Sequence, residues 1–317
     1  MKYIYFDQAA SSFPKPKAVI EAVMEALAEY GANPGRSGHQ LAKKAGDIIA
    51  EARWKLSEFF GAKQPNHVIF FPNATYALNQ AIFGLPLEKG DHVISTSLEH
   101  NSVRRPLERL KKTLGIEVTY AQPNSGGIVT EAEIEKHIKK ETKAIIMTHG
   151  SNVTGAIMPI ERIGGIAEKH GLFFIVDASQ TAGVLPIDME KMKIDALAFP
   201  GHKSMLGPQG TGVLIMKDPA LFTPLIYGGT GGFSHLVDQP EKCPERFESG
   251  TLNTPGIAGL LAAVKEIEKI GLDKIFAHEW KLTSFFLSEL GKLDAVTVYG
   301  PPMHIERLPV VSFSLKG

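Results

Sequence analysis

The sequence holds one cysteine, Cys243, in 317 residues. An intramolecular disulfide framework is therefore excluded. Neither sign of charge is in excess, since Lys+Arg and Asp+Glu both number 34. A nucleic-acid binder normally shows a basic surplus, so none is expected here. No apolar run approaches the about 18 residues of a spanning helix, which argues against a membrane role. The opening Met1–Asp7 segment has no apolar stretch ahead of a cleavage site. The expectation is a cytoplasmic protein. Internal repeats, low-complexity tracts and charge runs are also missing. What is present is a 44% hydrophobic composition. That suffices for one large domain, or for one plus a smaller one.

Apolar periodicity predicts a helix over 15–30, with Val19, Val23, Leu27 and Tyr30 on one face and Gly31 as its stop. A Gly/Pro/Asn loop, Gly31–Gly38, precedes a second helix from about His39 to Phe60. From 67 to about 216, short Val/Ile/Phe-rich strands alternate with helical stretches near 75–84, 102–114, 130–139 and 159–170. This is the pattern of βαβ units and a mostly parallel sheet covered on both faces. Gly212–Met216 reads as a further strand. Residues 227–254 form a long Gly/Pro/Thr-rich loop, of a length usually tied to function or an interface. Helices near 255–270 and 272–291 follow, then strand-like Ala295–Tyr299 and Pro309–Leu315. The expected division is an N-terminal arm (1–14), a large domain (15–255) and the start of a small α+β domain (256–317). Two strands and a helix do not readily bury a sheet face alone, so the small domain reads as incomplete at Gly317.

Polar residues cluster just past the apolar strands. Thr75 follows 67–71, Glu99-His100 follow 92–97, and Asn152 follows 143–148. Asp177 and Gln180 follow 172–176, and Gly201-His202-Lys203 follow 195–199. In an open parallel sheet, ligands bind outside the carboxyl ends of the strands. Together these groups suit pyridoxal 5′-phosphate (PLP), a ring bearing an aldehyde, a phenolic oxygen and a phosphate. Lys203 is the candidate Schiff-base lysine, because a buried apolar setting favours the neutral amine that attacks an aldehyde. Taken alone, most lysines are simply exposed. Asp177 is either a strand-end cap or a carboxylate paired with the ring nitrogen. Gln180 could donate to the phenolic oxygen, and Asn152 could reach that oxygen or the substrate. His100 either stacks on the ring and shuttles a proton or is a helix-start histidine, with Asn101 and Ser102 beside it as good capping types. The turn Phe71–Tyr76 offers a helix N-terminus and the Thr75 hydroxyl to a phosphate, and His202 could add a donor. The run Gly207–Gly212 lacks the Lys-Ser/Thr ending of a P-loop and reads as a tight turn.

With these residues placed, the chain resembles the cysteine desulfurase and selenocysteine lyase group of the class V aminotransferase family, PLP enzymes of fold type I. The carrying motifs, in order, are Tyr5–Ala10, Asn73–Thr75, Glu99-His100, Ser151–Gly155, Val176–Gln180, Gly201–Lys203 and Arg246–Thr251. The resemblance implies that Lys203 carries the cofactor and that Asp177 pairs with its ring nitrogen. His100 would stack on the ring, Gln180 would bind the phenolic oxygen, and Asn152 would help hold cofactor and substrate. Ala74 (through its backbone), Thr75 and His202 would take the phosphate. It also implies a homodimer, with Thr251 reaching the partner's phosphate site. Pro200 stands where many members carry a phosphate-binding serine. The family's nucleophilic cysteine and carboxylate-binding arginine would lie beyond Gly317. Cys243, beside Lys242 in a polar loop expected to be exposed, matches no family cysteine.

The implied reaction takes sulfur from L-cysteine, or selenium from selenocysteine, through a protein persulfide to leave alanine. A sulfur-acceptor protein, as in iron–sulfur cluster assembly, is an implied partner. Two other readings stay open. One is another class V reaction, transamination or β-elimination, which needs no protein thiol. The other is an inactive truncated chain, with an apolar face at Val310, Val311, Phe313 and Leu315 left uncovered.

Overall fold

The computed structural model describes residues 4–34 and 38–316. Parts of the 1–14 arm (residues 1–3), of the Gly31–Gly38 loop (residues 35–37) and the terminal Gly317 lie outside the described residues. In chain order the elements are α1 (Lys17–Glu29), α2 (Gln40–Phe59), β1 (Val68–Phe71), α3 (Ala74–Phe83), β2 (His92–Thr96) and α4 (Asn101–Thr113). They continue with β3 (Glu117–Ala121), α5 (Glu131–Glu135), β4 (Thr142–Thr148), α6 (Ile160–His170), β5 (Phe173–Asp177), β6 (Ala196–Pro200) and β7 (Gly212–Met216). The chain closes with α7 (Thr254–Ile270), α8 (Leu272–Leu290), β8 (Val296–Tyr299) and β9 (Ser312–Leu315).

Strands β1 to β7 form one sheet in the order β1-β7-β6-β5-β4-β2-β3. The run β3-β2-β4-β5-β6 is parallel throughout. Only β7 runs against its neighbours, antiparallel to both β6 and β1. The carboxyl ends of β1, β2, β4, β5 and β6 therefore share one edge with the start of β7. Gly212 is in register with both Phe71 and Pro200. Side chains alternate between the two faces, as the two-residue period of a strand requires. Ile145, Met147, Phe174, Val176, Leu197 and Phe199 enter one core with α2 and α6. Ala144, Ile146, Ile175, Ala196 and Ala198 enter the other, with α3 and α4. The expected mostly parallel sheet covered by helices is the fold found.

Some local expectations differ from the structure. Leu27 is 65% exposed; Ala26 takes its place on the buried face of α1, beside Val19 and Tyr30. Helix α5 is five residues long rather than spanning 130–139. Strand β3 escapes a periodicity search because Glu117-Val-Thr-Tyr-Ala121 is a polar, half-exposed edge. Helix α7, which begins at Thr254 and runs across the expected 255/256 boundary, buries Ile257, Leu260, Leu261, Val264 and Ile267 in the main core. Beyond it, β8 and β9 form an antiparallel pair of their own. Among the described residues, no helix is long and apolar enough to cross a membrane.

Candidate active site

A cavity of about 240 Å³ opens at the shared strand edge. It is lined from α3 by Ala74 and Thr75, from α4 by His100 and Ser102, and from the loops after β4, β5 and β6 by Asn152, Asp177, Gln180, His202 and Lys203. Eight of the nine residues singled out in the sequence thus meet in one place. Thr251 does not; it is exposed and lines a neighbouring hollow with Phe71, Pro72 and Tyr76.

At one end of the cavity is the start of α3. Asn73 caps it, its side-chain oxygen accepting from Tyr76 N at 3.2 Å. Gly212 makes this turn possible, since a Cβ there would sit 2.2 Å from the Asn73 carbonyl carbon. The Thr75 and Ser102 hydroxyls lie 2.8 Å apart, and Ser102 Oγ is 2.9 Å from His100 Nδ1. His100 is itself the cap of α4, accepting from Ser102 N at 3.1 Å. The helix-start reading of His100 therefore holds together with its place on the cavity wall, and the capping group is His100 rather than Asn101 or Ser102. Because Nδ1 accepts, the neutral ring carries its proton on Nε2. His202 Nδ1 is buried without a hydrogen-bond partner. Burial first, then the charges of Lys203 and Lys15, push the His202 pKa down.

Asp177 ends β5 and is 3% exposed; Oδ1 accepts from Ser179 N at 2.9 Å. Gln180, 7% exposed, donates from Nε2 to the Ala9 carbonyl at 3.2 Å. That leaves one amide proton for another acceptor. Lys203 follows β6 on a short loop closed by a Gly207 N–Gly201 O bond of 2.7 Å. Burial draws its pKa below the usual lysine value, opposed by the Asp177 carboxylate.

Glu99 appeared in the sequence only as a neighbour of His100. The residue is partly exposed, yet Oε2 is sealed from solvent and has no partner. Oε1 accepts from Thr96 Oγ1 at 2.5 Å and from Thr148 N at 3.1 Å. Burial pushes its pKa up to about 8, the two hydrogen bonds pull it down, and Asp177 adds to the rise. No local pattern signals this, because burial comes from the fold. Cys243 corrects an expectation in the other direction. It is half-buried against the α3–α4 core, and burial raises its thiol to about 11 in spite of Arg246.

The donors and the acceptor fit PLP. A helix start with a hydroxyl and an unpartnered imidazole nitrogen suits the phosphate. A buried carboxylate suits the ring nitrogen, and a lysine biased toward its neutral form suits the aldehyde.

The fold is that of PLP-dependent enzymes of type I. Within that class, the chain belongs to the class-V aminotransferase family, whose pattern matches residues 4–317. Its relatives there are cysteine desulfurases. It is 37% identical to a probable cysteine desulfurase of Pyrococcus abyssi, covering 98% of this chain and 78% of the relative. It is also 37% identical to one of Halalkalibacterium halodurans, covering 99% and 78%. The apo cysteine desulfurase of Thermococcus onnurineus NA1 superposes with a TM-score of 0.94 at 36% identity, covering 99% of this chain and 79% of that one. SspA in complex with cysteine gives 0.74 at 34% identity, covering 84% and 77%. PLP is the cofactor that goes with this family.

Proposed function

We propose that this chain is a PLP-dependent cysteine desulfurase-type enzyme, with the site at the carboxyl edge of the sheet. One observation carries the reading. A lysine whose pKa burial lowers shares a cavity with a buried aspartate and with the N-terminus of α3. The relatives named as cysteine desulfurases, and the neighbour described in complex with cysteine, support L-cysteine as substrate. Selenocysteine presents the same groups.

Bound there, PLP would supply an electron sink for charge left on the α-carbon of the amino acid. Lys203 Nζ would hold the cofactor and, once displaced by the substrate amine, move the α-proton. Asp177 would keep the ring nitrogen protonated. Gln180 and Asn152 would hold the phenolic oxygen and the substrate. His100 would cover the ring, with a proton available on Nε2. Ala74 N, Thr75 and His202 would bind the phosphate. Thr251, exposed on the long loop, would complete the phosphate site of a second subunit in a homodimer. The Cys243 thiol lies outside the cavity and is held protonated, so an external thiol is the fitting acceptor in an assay. The sum is cysteine plus thiol giving alanine plus persulfide.

The test is purified protein with PLP, dithiothreitol and L-cysteine. The wild type should release alanine and sulfide in equal amounts, and Lys203→Ala should release neither. Pyruvate in place of alanine would move the reading to β-elimination. Failure of the wild type to retain PLP would overturn it.

A further inference from the structure

The backbone carbonyl of His202, immediately before Lys203, receives its hydrogen bonds from the stretch Ser11–Lys15 at the end of the N-terminal arm. Ser12 N donates at 3.0 Å and Lys15 Nζ at 2.9 Å. The hydroxyls of Ser12 and Ser11 stand at 3.2 and 3.4 Å. Among the described residues, no donor from any other part of the chain reaches it. The next carbonyl, that of Lys203, accepts from Leu206 N within its own loop at 2.9 Å. Its other contact is again Ser12 Oγ, also at 2.9 Å. A hydroxyl has one proton, and the Lys203 carbonyl is the nearer acceptor. Ser12 Oγ in turn accepts from Lys15 Nζ at 2.7 Å. Ser12 is only 8% exposed, and burial lowers the Lys15 pKa to about 8. These are built contacts between segments some 190 positions apart, not chance surface pairs.

The arm is itself braced. Gln8 closes residues 8–13 into a loop, accepting from Phe13 N at 2.8 Å and donating to Phe13 O at 2.6 Å. The Tyr5 hydroxyl lies 2.8 Å from the Ser11 carbonyl. The same loop presents the Ala9 carbonyl to Gln180. The loop it grips needs such support, because Leu206 sits at φ +58°, in the left-handed region that costs a residue with a Cβ. Two groups expected to touch the cofactor, Lys203 and Gln180, are thus both tied to one eight-residue stretch that follows no strand.

We propose that Gln8–Lys15 is a strap that sets the position of Lys203, with Ser12 and Lys15 as its positioning residues. The role rests on Lys203 being the PLP lysine. Attack of an amine on an aldehyde is sensitive to displacements of about 1 Å. A looser His202–Lys203 peptide therefore slows capture of the aldehyde without weakening the hold on the rest of the cofactor.

The experiment compares wild type, Ser12→Ala, Lys15→Met and Lys15→Arg. One readout is amide hydrogen exchange over 201–207. The second is the rate at which added PLP becomes trapped on Lys203 by borohydride, followed by mass spectrometry. The third is binding of pyridoxine 5′-phosphate, which lacks the aldehyde. Losing one such hydrogen bond should speed exchange, and slow trapping, by about three- to tenfold. Pyridoxine 5′-phosphate should bind as before, and Lys15→Arg should recover most of the loss. Unchanged exchange and trapping would overturn the strap. So would a fall in pyridoxine 5′-phosphate binding equal to the fall in trapping, which would indicate general damage. If even the wild type traps no PLP, the cofactor reading fails, and exchange over 201–207 still decides the strap.

Discussion

Glu99 is the residue whose chemistry depends most on the fold. Its carboxyl faces Thr96 and Thr148 as hydrogen-bond donors and Asp177 as a like charge. Burial raises its pKa from an ordinary 4.5 to about 8. The folded protein thus binds more protons than the unfolded chain between those values. The stability from protonated Glu99 is fully present below about pH 4.5 and is lost as pH rises through about 8. Glu99→Gln keeps a neutral acceptor at every pH. Urea unfolding of wild type and variant should therefore nearly coincide at pH 5, and the variant should be the more stable at pH 8.5. Taking the difference cancels the other shifted groups, such as His149, held neutral by burial, and Glu279, raised to about 7. Parallel curves for the two proteins would show that Glu99 is already ionised in the fold. Lys203, Asp177 and His202 were legible in the sequence because each follows an apolar strand. Glu99 was visible only as part of a motif, since nothing in Ser97-Leu-Glu-His100 says which carboxylate the fold will seal.

Between elements, the ion pair of Arg53 and Glu248 joins α2, β1 and the long loop before α7. The guanidinium donates from Nη1 to Oε1 at 2.8 Å and from Nη2 to Oε2 at 2.5 Å. Arg53 also donates to the Val68 carbonyl, and Glu248 Oε1 accepts from Phe70 N at 2.7 Å. Both side chains are buried. Burial raises the Glu248 pKa, and Arg53 opposes the rise. Arg53→Met leaves a sealed carboxylate without its partner, which costs about 3–5 kcal/mol. The double variant Arg53→Met, Glu248→Gln should recover much of that in urea unfolding. An equal loss in both would mean that packing, not charge, holds the junction. This link was hidden in the sequence. Arg246-Phe-Glu248 read as part of a family motif, and Arg53 lay unremarked inside the second expected helix. The parallel strands were legible from their continuous apolar runs. The edge strand β3 was not, because one exposed side removes the apolar signal that identifies its neighbours.

Across the whole molecule, the C-terminal unit meets the site through polar contacts and through Leu308, which is buried against Gly150. Phe285, Phe313 and Leu315 are exposed there. Arg307 is fully buried instead, and its guanidinium donates to the carbonyls of Thr154, Tyr299 and Pro301. Leu308 N donates to Gly155 O at 2.9 Å, and Ser312 Oγ to Val153 O at 2.6 Å. Gly155 permits this approach, at φ +72° with the Val310 carbonyl oxygen 2.6 Å from where a Cβ would be. The segment so gripped, Ser151–Gly155, carries Asn152 into the cavity. The tail and the site are therefore coupled through the carbonyls of Val153, Thr154 and Gly155. Arg307→Leu keeps an apolar side chain there but takes the guanidinium donors from the Thr154, Tyr299 and Pro301 carbonyls, at a cost to local order of roughly tenfold or more in opening. Amide exchange over 151–156 and 299–308 should accelerate together by about that factor, while the β2 and β4 amides stay protected. Acceleration confined to 299–308 would show that the Asn152 loop holds its shape alone, and that the tail rests on the site without shaping it.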